Sequence, residues 1–542
     1  MPSGHPMHPI HTVPAQHHRC TESTKGIHVP VSVSIKPNLY KDSVALMRIG
    51  QLVLAQEGVK RVTLLMGTPA NKAIMAASGL LDPALEAARP GDVMVSVEAD
   101  TAELLETALA DVAAQLEGSQ KKDEGGGEGF KLPLRSICMA RTRSDAVLAQ
   151  ISVPGPYAAG EAMKALRAGM HVFLFSDNVP LEQERALKDV AARKGLLVMG
   201  PDCGTAIIRG TPLGFANVVR DGAIGLVGAS GTGLQEVSSQ IDTLGQGIRH
   251  AIGTGGRDVY AEIGGATMRQ AIDLLAADAA TRVIGIVSKP PAPEVAERIF
   301  EQLEAVGKPA VVLFLGAEAP ARKLPPHIVV ATTLFDAAAG AVALLEGKPY
   351  APSRQSEESV RAAQHEVERL APTQRAVRGL YSGGTFASEA QILWNRLGLG
   401  AQDGHEAVDL GDDEYTVGRP HPMIDPSARL EHIEREAADP ATAVIVLDVV
   451  LGYAGHEDPA GALAPAIAAA KASCAKAGRH LSVLAFVCGT ERDPQRLSVQ
   501  QARLREAGAL VLPSSTAAAR MAGEIGLRAA ARAKKPTLEA VK

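Results

Sequence analysis

An apolar run, Ala223-Ile-Gly-Leu-Val, passes into Gly228-Ala-Ser230-Gly231-Thr232-Gly233 and continues as Leu-Gln-Glu-Val. A strand that enters a helix through small and hydroxyl residues is suited to anions. Glycines let the backbone approach a ligand closely, and the free N–H groups of the first helical turn carry partial positive charge. Ser230, Gly231, Thr232 and Gly233 are therefore candidate phosphate-binding residues. A capped βα turn is the bland alternative, but four such residues exceed what a cap needs. The device recurs in Gly253-Thr-Gly255-Gly256-Arg257-Asp258, which adds Gly255 and Gly256. It recurs again in Gly379-Leu-Tyr-Ser382-Gly383-Gly384-Thr385, which adds Gly383, Gly384 and Thr385.

The spacing Gly228-x-x-Gly231-x-Gly233 also imitates a dinucleotide fingerprint. Such a site needs an acid at the end of the second strand for the ribose hydroxyls. Here that strand ends in glycines, and Asp258 lies beyond the turn. Two adjacent glycine-rich turns suit a phosphate or carboxylate better than a ribose. A different chemistry is offered by Arg419-Pro-His421-Pro-Met-Ile-Asp425-Pro. Prolines stiffen this loop, an Arg can clamp a carboxylate with two parallel donors, and a His can move a proton. Arg419, His421 and Asp425 are the candidate catalytic residues; a surface turn with a salt bridge is the competing reading. Cys203 has no His near it in sequence and reads as a small buried thiol.

The elements that must hold these turns are strands alternating with helices, which predicts α/β architecture with several Rossmann-like and flavodoxin-like parallel-sheet domains. The boundaries read as a disordered His/Pro-rich extension (1–30), an N-terminal α/β domain (31–117) and a flexible linker (118–132). A Rossmann domain (133–221), a flavodoxin-like domain (222–345), a linker (346–375) and a C-terminal α/β domain (376–542) follow. Three to four domains suit 542 residues at roughly 150 each. Aromatics make up only 3% of the chain, so aliphatic side chains must fill the cores.

The charge balance excludes some functions. Lys plus Arg number 55 against 60 Asp plus Glu, with no basic tract, so nucleic acid is not an expected partner. No run of about 20 apolar residues could span a bilayer. Five scattered cysteines form no C-x-x-C and fit reduced thiols. No metal site is expected: the His-rich start (His5, His8, His11, His17, His18) reads as an unstructured tract. The expectation is a soluble, cytoplasmic protein.

Several segments make a family resemblance. Ile151–Val153 with Gly-Pro-Tyr157, Ala168-Gly169 and Gly200-Pro-Asp-Cys203-Gly204 resemble the CoA-binding domain of the succinyl-CoA ligase α subunit. Gly228 to Glu236 and Gly253 to Asp258 resemble its flavodoxin-like domain, and the last unit resembles the carboxyl-terminal domain of the β subunit. FdrA proteins join these pieces in one chain. Residues 66–73, 175–184, 196–205, 288–291, 409–426 and 489–495 resemble FdrA itself.

The chain departs from the ligases in ways that bear on activity. Where they carry a phosphorylated histidine loop, this chain has Leu315-Gly-Ala-Glu-Ala-Pro-Ala; where they place a glutamate to steady it, Ser288-Lys289-Pro-Pro stands. The glycine-rich start of the CoA domain and the ATP-grasp domain are missing. The resemblance to FdrA implies a component of an oxamate carbamoyltransferase, converting oxalurate and phosphate to oxamate and carbamoyl phosphate with companion subunits. CoA and phosphate are the candidate ligands; acyl phosphate and carboxylate are the expected substrate classes. One alternative is an acyl-CoA synthetase whose ATP-grasp subunit is a separate chain. Another is a non-catalytic scaffold that binds acyl phosphate or CoA.

Overall fold

The computed structural model describes residues 17–22, 28–39, 41, 43–77, 81–121, 134–416 and 419–534, which form two compact units.

The first unit contains β1 (His17–Glu22), β2 (His28–Lys36), α1 (Ser43–Leu54), β3 (Val59–Met66), α2 (Pro69–Ala77), β4 (Val93–Ala99) and α3 (Ala102–Lys121). The sheet order is β1-β2-β4-β3, and every neighbouring pair is antiparallel. Leu46, Ile49 and Val53 of α1 and Leu105, Ala108 and Val112 of α3 recur at helical spacing and share one buried cluster with Leu64, Val95 and Val97. The sheet of this expected α/β domain is antiparallel, since local sequence encodes a strand but not its direction. Two expectations need correcting here. The extension assigned to residues 1–30 includes β1 and the start of β2, paired from His17↔Val33 to Glu22↔His28; residues 1–16 and 23–27 lie outside the described residues. The linker assigned from 118 begins later, since α3 runs to Lys121; residues 122–133 lie outside the described residues.

The second unit opens with α4 (Ile137–Arg143), β5 (Leu148–Ile151), α5 (Gly155–Arg167), β6 (His171–Leu174), α6 (Leu181–Lys194) and β7 (Val198–Met199), a three-stranded parallel lobe. A hairpin of β8 (Thr205–Ile208) and β9 (Thr211–Gly214) follows. It does not belong to that lobe, as a boundary at 221 would require: β8 pairs with β11 (Ile248–Gly253) of the next sheet. Around β11 that sheet is built from β10 (Ile224–Ala229), α7 (Gly231–Thr243), α8 (Ala266–Ala277), β12 (Val283–Ser288), α9 (Pro293–Val306), β13 (Ala310–Phe314), β14 (Ile328–Val330) and α10 (Leu334–Glu346).

The stretch 346–375, read as a linker, contains α11 (Glu357–Arg369). Its buried apolar positions are only Ala363 and Val367, continued by Leu370, set in an otherwise charged run. The last sheet comprises β15 (Ala376–Tyr381), α12 (Gly384–Arg396), β16 (Glu406–Asp409), α13 (Asp413–Thr416), α14 (Ser427–Ala438), β17 (Thr442–Val450), α15 (Pro459–Lys476), β18 (Ser482–Cys488), α16 (Leu497–Glu506), β19 (Leu510–Leu512) and α17 (Ser515–Lys534).

The two large sheets run β14-β13-β12-β10-β11-β8-β9 and β16-β15-β17-β18-β19. Numbered from its own first parallel strand, each is a 2-1-3-4-5 sheet, the flavodoxin-like order, whose ligand crevice lies outside the carboxyl ends of strands 1 and 3. Here those strands are β10 with β12, and β15 with β17. One buried core joins the two sheets: Leu234 and Val237 of α7 and Ala337 and Ala341 of α10 pack in the same cluster as Phe386 and Trp394 of α12 and Ala518 and Ala522 of α17. Trp394 is fully buried and its Nε1 donates to Ala519 O at 2.8 Å. Truncating it to alanine would cost about 3–5 kcal/mol.

Candidate anion-binding site

At the end of β10, Ser230 takes extended backbone and caps α7; its Oγ accepts from Gly233 N at 3.1 Å. Gly228 must be glycine, because a Cβ there would lie 2.5 Å from Val287 O. The neighbouring turn after β11 is tied to this one: Thr254 N donates to Gly228 O at 2.9 Å. Gly255 has φ +82° and its added Cβ would lie 2.2 Å from Pro201 O, so close packing on the 200–202 loop accounts for that glycine. Gly256 faces the Asp202 carboxyl, which would lie 3.9 Å from its Cβ. Burial, with Asp177 adding to it, raises the pKa of Asp202 to about 6.

The second glycine-rich turn meets the first. Ser230 Oγ and Thr385 Oγ1 are 2.6 Å apart and hydrogen-bonded, and a Cβ on Gly383 would lie 2.7 Å from Thr232 Cγ2. The N-termini of α7 and α12 thus abut. Each tip carries about half a positive charge from unsatisfied N–H groups. Two such tips brought together repel unless negative charge offsets them. Some is supplied by the protein: Asp409 lies against Gly384, where an added Cβ would be 2.3 Å from its Oδ2. Its pKa is raised to about 6, first by burial and then by Asp448 and Asp412, against Gly411 N, which donates to it.

Behind the α12 tip is a buried ion pair. Asp448, at 0% exposure, accepts from Ser382 N (2.9 Å), Ser382 Oγ (2.7 Å) and Arg429 Nη2 (2.9 Å). The same Arg429 nitrogen reaches Leu380 O at 2.9 Å. His421 lies alongside: an added Cβ on Gly411 would be 2.5 Å from its Nε2 and 2.9 Å from Ser382 O. Its Nδ1 accepts from Met423 N at 3.2 Å, which leaves the proton on Nε2. Burial lowers its pKa to about 4. His421 is thus a neutral donor at neutral pH, and the expectation that it shuttles a proton needs correcting to that extent.

The other expected residues do other work. Arg419 is exposed and groups with the first unit, whereas His421 belongs to the second. Asp425 Oδ1 accepts from Ser427 N (3.0 Å) and Ser427 Oγ (2.5 Å) at the start of α14, a turn-forming role. Asp258 is fully buried, caps α8 through Thr267 N and Met268 N, and pairs with Lys188 Nζ at 2.7 Å. It is not available to a ribose. Cys203 is buried and its thiol is pushed up to about 12, which makes it a poor nucleophile.

Sequence reasoning missed a crossed pair of glutamates. Glu236 of α7 accepts from Ser515 N at the start of α17 (3.0 Å); Glu389 of α12 accepts from Leu334 N at the start of α10 (2.7 Å). Each sheet's first helix therefore caps the other sheet's last helix, an approximate two-fold exchange. A signal was present: Glu236 follows Gly231, and Glu389 follows Gly384, at the same offset of five.

Two facing flavodoxin-like sheets with abutting helix tips define a succinyl-CoA ligase-like scaffold, and comparison with known proteins agrees. A family described as CoA-ligase matches residues 380–525, and one described as CoA binding domain matches 219–316. The latter falls on the first large sheet, not on the lobe around 148–199 that the motifs liken to a CoA-binding domain. A third family, described as AllF, heavy metal-associated domain, matches 29–131. Those residues contain no cysteine and no histidine, so thiolate and imidazole ligands are missing from it.

The uncharacterized protein YahF of Escherichia coli (strain K12) is 40% identical over 509 residues, covering 90% of this chain and 96% of YahF. The chain belongs to the family of YahF, a succinyl-CoA ligase-like family. The mitochondrial succinate–CoA ligase [ADP-forming] subunit alpha-2 of Trichomonas vaginalis is 33% identical over 193 residues, 34% of this chain and 61% of that subunit. The alpha subunit of the Aquifex aeolicus enzyme is 28% identical over 214 residues, 38% of this chain and 68% of the subunit. Among the described residues, no helix is long and apolar enough to cross a membrane.

Proposed function

We propose that this chain is an FdrA-type component of an oxamate carbamoyltransferase and holds phosphate where the α7 and α12 tips meet. The observation that carries this reading is the 2.6 Å contact between Ser230 and Thr385, which directs two sets of helix N–H groups at one place. In the reaction, a phosphate oxygen bonds to the carbamoyl carbon of oxalurate. The bond from that carbon to the oxamate nitrogen breaks, and the proton from phosphate ends on that nitrogen. No covalent enzyme intermediate is needed, which suits a chain whose segment 315–326 contains no histidine. The work left to the protein is positioning and charge stabilisation. In this reading Ser230 to Gly233 and Gly383 to Thr385 bind phosphate, with Gly255 and Gly256 shaping the adjoining wall. His421 donates from Nε2, and Arg419 clamps the substrate carboxylate.

The test is carbamoyl phosphate formation from oxalurate and phosphate by the chain reconstituted with its companion proteins. Gly231→Val, at an exposed position, is expected to melt as the parent does and to lose at least tenfold in phosphate binding and turnover. A complete complex that forms no carbamoyl phosphate would refute the reading. Arg419→Lys keeps the charge but not the fork; it is expected to raise the Michaelis constant for the carboxylate substrate several-fold in the same assay. An unchanged constant would remove Arg419 from the site.

A second reading, an acyl-CoA synthetase completed by a separate ATP-grasp chain, is favoured by the matches described as CoA-ligase and CoA binding domain. Calorimetric titration with CoA separates the two, since only the synthetase requires the chain to bind it.

A further inference from the structure

Ser288 ends β12 in register with Ala229 of β10 and Phe314 of β13, so Lys289 leaves the sheet at the crevice between its first and third strands, next to Ser230. That is where open α/β sheets bind ligands. Lys289 is exposed and forms no hydrogen bond or ion pair among the described residues. Its ammonium is nevertheless close enough to two carboxyls, Asp202 and Asp409, to act on both. Asp202 stands in the 200–205 loop at φ +54°, facing Gly256; Asp409 lies against Gly384 at the α12 tip. Its charge thus acts on one carboxyl from the 200–205 loop and one beside the α12 tip, from the strand end next to Ser230. Arg257, the other cation acting on Asp202, is committed elsewhere: its Nη2 forms an ion pair with Glu184 Oε2 at 2.9 Å and donates to Val179 O at 2.7 Å. The buried Ser288 Oγ, which has no hydrogen-bond partner, marks the same strand end as incompletely satisfied by the protein alone.

We propose that Lys289 is the side-chain cation that engages the phosphate or acyl-phosphate dianion bound at the α7 and α12 tips, with Asp202 and Asp409 as its counter-ions when no ligand is present. This rests on the phosphate reading of the site. A lysine that merely solvates two aspartates would behave differently from one that exchanges them for a ligand, and the aspartates reveal which it is. Removing one counter-ion frees Lys289 and removes a like charge from the ligand's surroundings, so anion binding must tighten. Removing the lysine must weaken it.

The experiment is titration of the full chain with inorganic phosphate at pH 7.5 and fixed ionic strength, comparing the parent with Lys289→Gln, Lys289→Arg, Asp202→Asn and Gly231→Val, each matched by thermal melting. The expected result is at least tenfold weaker binding for Lys289→Gln, binding near parental for Lys289→Arg, and severalfold tighter binding for Asp202→Asn. If Lys289→Gln binds phosphate as the parent does while Gly231→Val does not, the Lys289 assignment is overturned and the helix-tip site stands. If Asp202→Asn weakens binding, the counter-ion exchange is wrong and the proposal fails with it. If the parent does not bind phosphate, or Gly231→Val binds it unchanged, the site reading fails first and takes the proposal with it.

Discussion

Exchanging Arg429 for methionine is expected to destabilise the protein by about 3–5 kcal/mol, the usual cost of breaking one side of a buried ion pair. Arg429 is 3% exposed and Asp448 is fully buried, so neither can turn to water when the other is lost. The variant would leave the Asp448 carboxylate with only the Ser382 N–H and hydroxyl, and Leu380 O without its guanidinium donor. The damage is local to the α12 tip, because Ser382 immediately precedes the turn that enters the helix. Phosphate binding is therefore expected to weaken together with stability. Arg429→Met combined with Asp448→Leu removes both charges and is expected to recover much of the loss, since an apolar pair of similar volume avoids the desolvation that a lone charge suffers. The measurement is the urea midpoint of the two variants and the parent. A loss below about 1 kcal/mol for Arg429→Met would mean that the pair is solvated and does not organise the tip.

That pair shows what the sequence could not display. Arg429 reads as an ordinary residue in a polar helix and Asp448 as the end of an apolar strand; only the fold of the last sheet places them 2.9 Å apart. By contrast, the strands that feed the glycine-rich turns are legible because an apolar run meeting glycine has few other solutions, as where β10 runs into Ser230 and α7. Helix α11 was hidden because Ala363, Val367 and Leu370 are too few apolar positions to mark a helical face in so charged a segment. Strand β1, His-His-Arg-Cys-Thr-Glu, has no alternating apolar face, and what pairs it to β2 is backbone hydrogen bonding that any sequence can supply. His421 was legible as special but not as buried: prolines announce a stiff loop without saying which way its side chains turn.

The largest effect of pH on the scaffold is expected from Glu236. Its pKa is raised from an ordinary 4.5 to about 7, first by burial and then by the charge of Glu389; Ser515 N, Cys488 and Gln240, all donors to it, pull the other way. An acid whose folded pKa lies above its unfolded one binds more protons in the folded state between those two values. Stability must then fall as pH rises from about 4.5 to about 7, and level off above. Glu236→Gln removes the ionisation and mimics the protonated acid. Its carbonyl can still accept from Ser515 N and Gln240 Nε2, and its amide takes the place of Oε2, which has no hydrogen-bond partner. The variant is expected to match the parent at pH 5 and to exceed it by about 1–3 kcal/mol at pH 8, since each tenfold change in proton affinity is worth ~1.4 kcal/mol. Glu389→Gln should show no such gain, because both Glu389 oxygens are engaged: Oε1 accepts from Leu334 N and Thr516 Oγ1, and Oε2 from Ser515 Oγ at 2.6 Å. Urea midpoints for the parent and both variants at pH 5, 6, 7 and 8 check this. If the difference between Glu236→Gln and the parent does not widen with pH, Glu236 is not the group that titrates, and the crossed glutamates hold the two sheets together without making their union sensitive to protons.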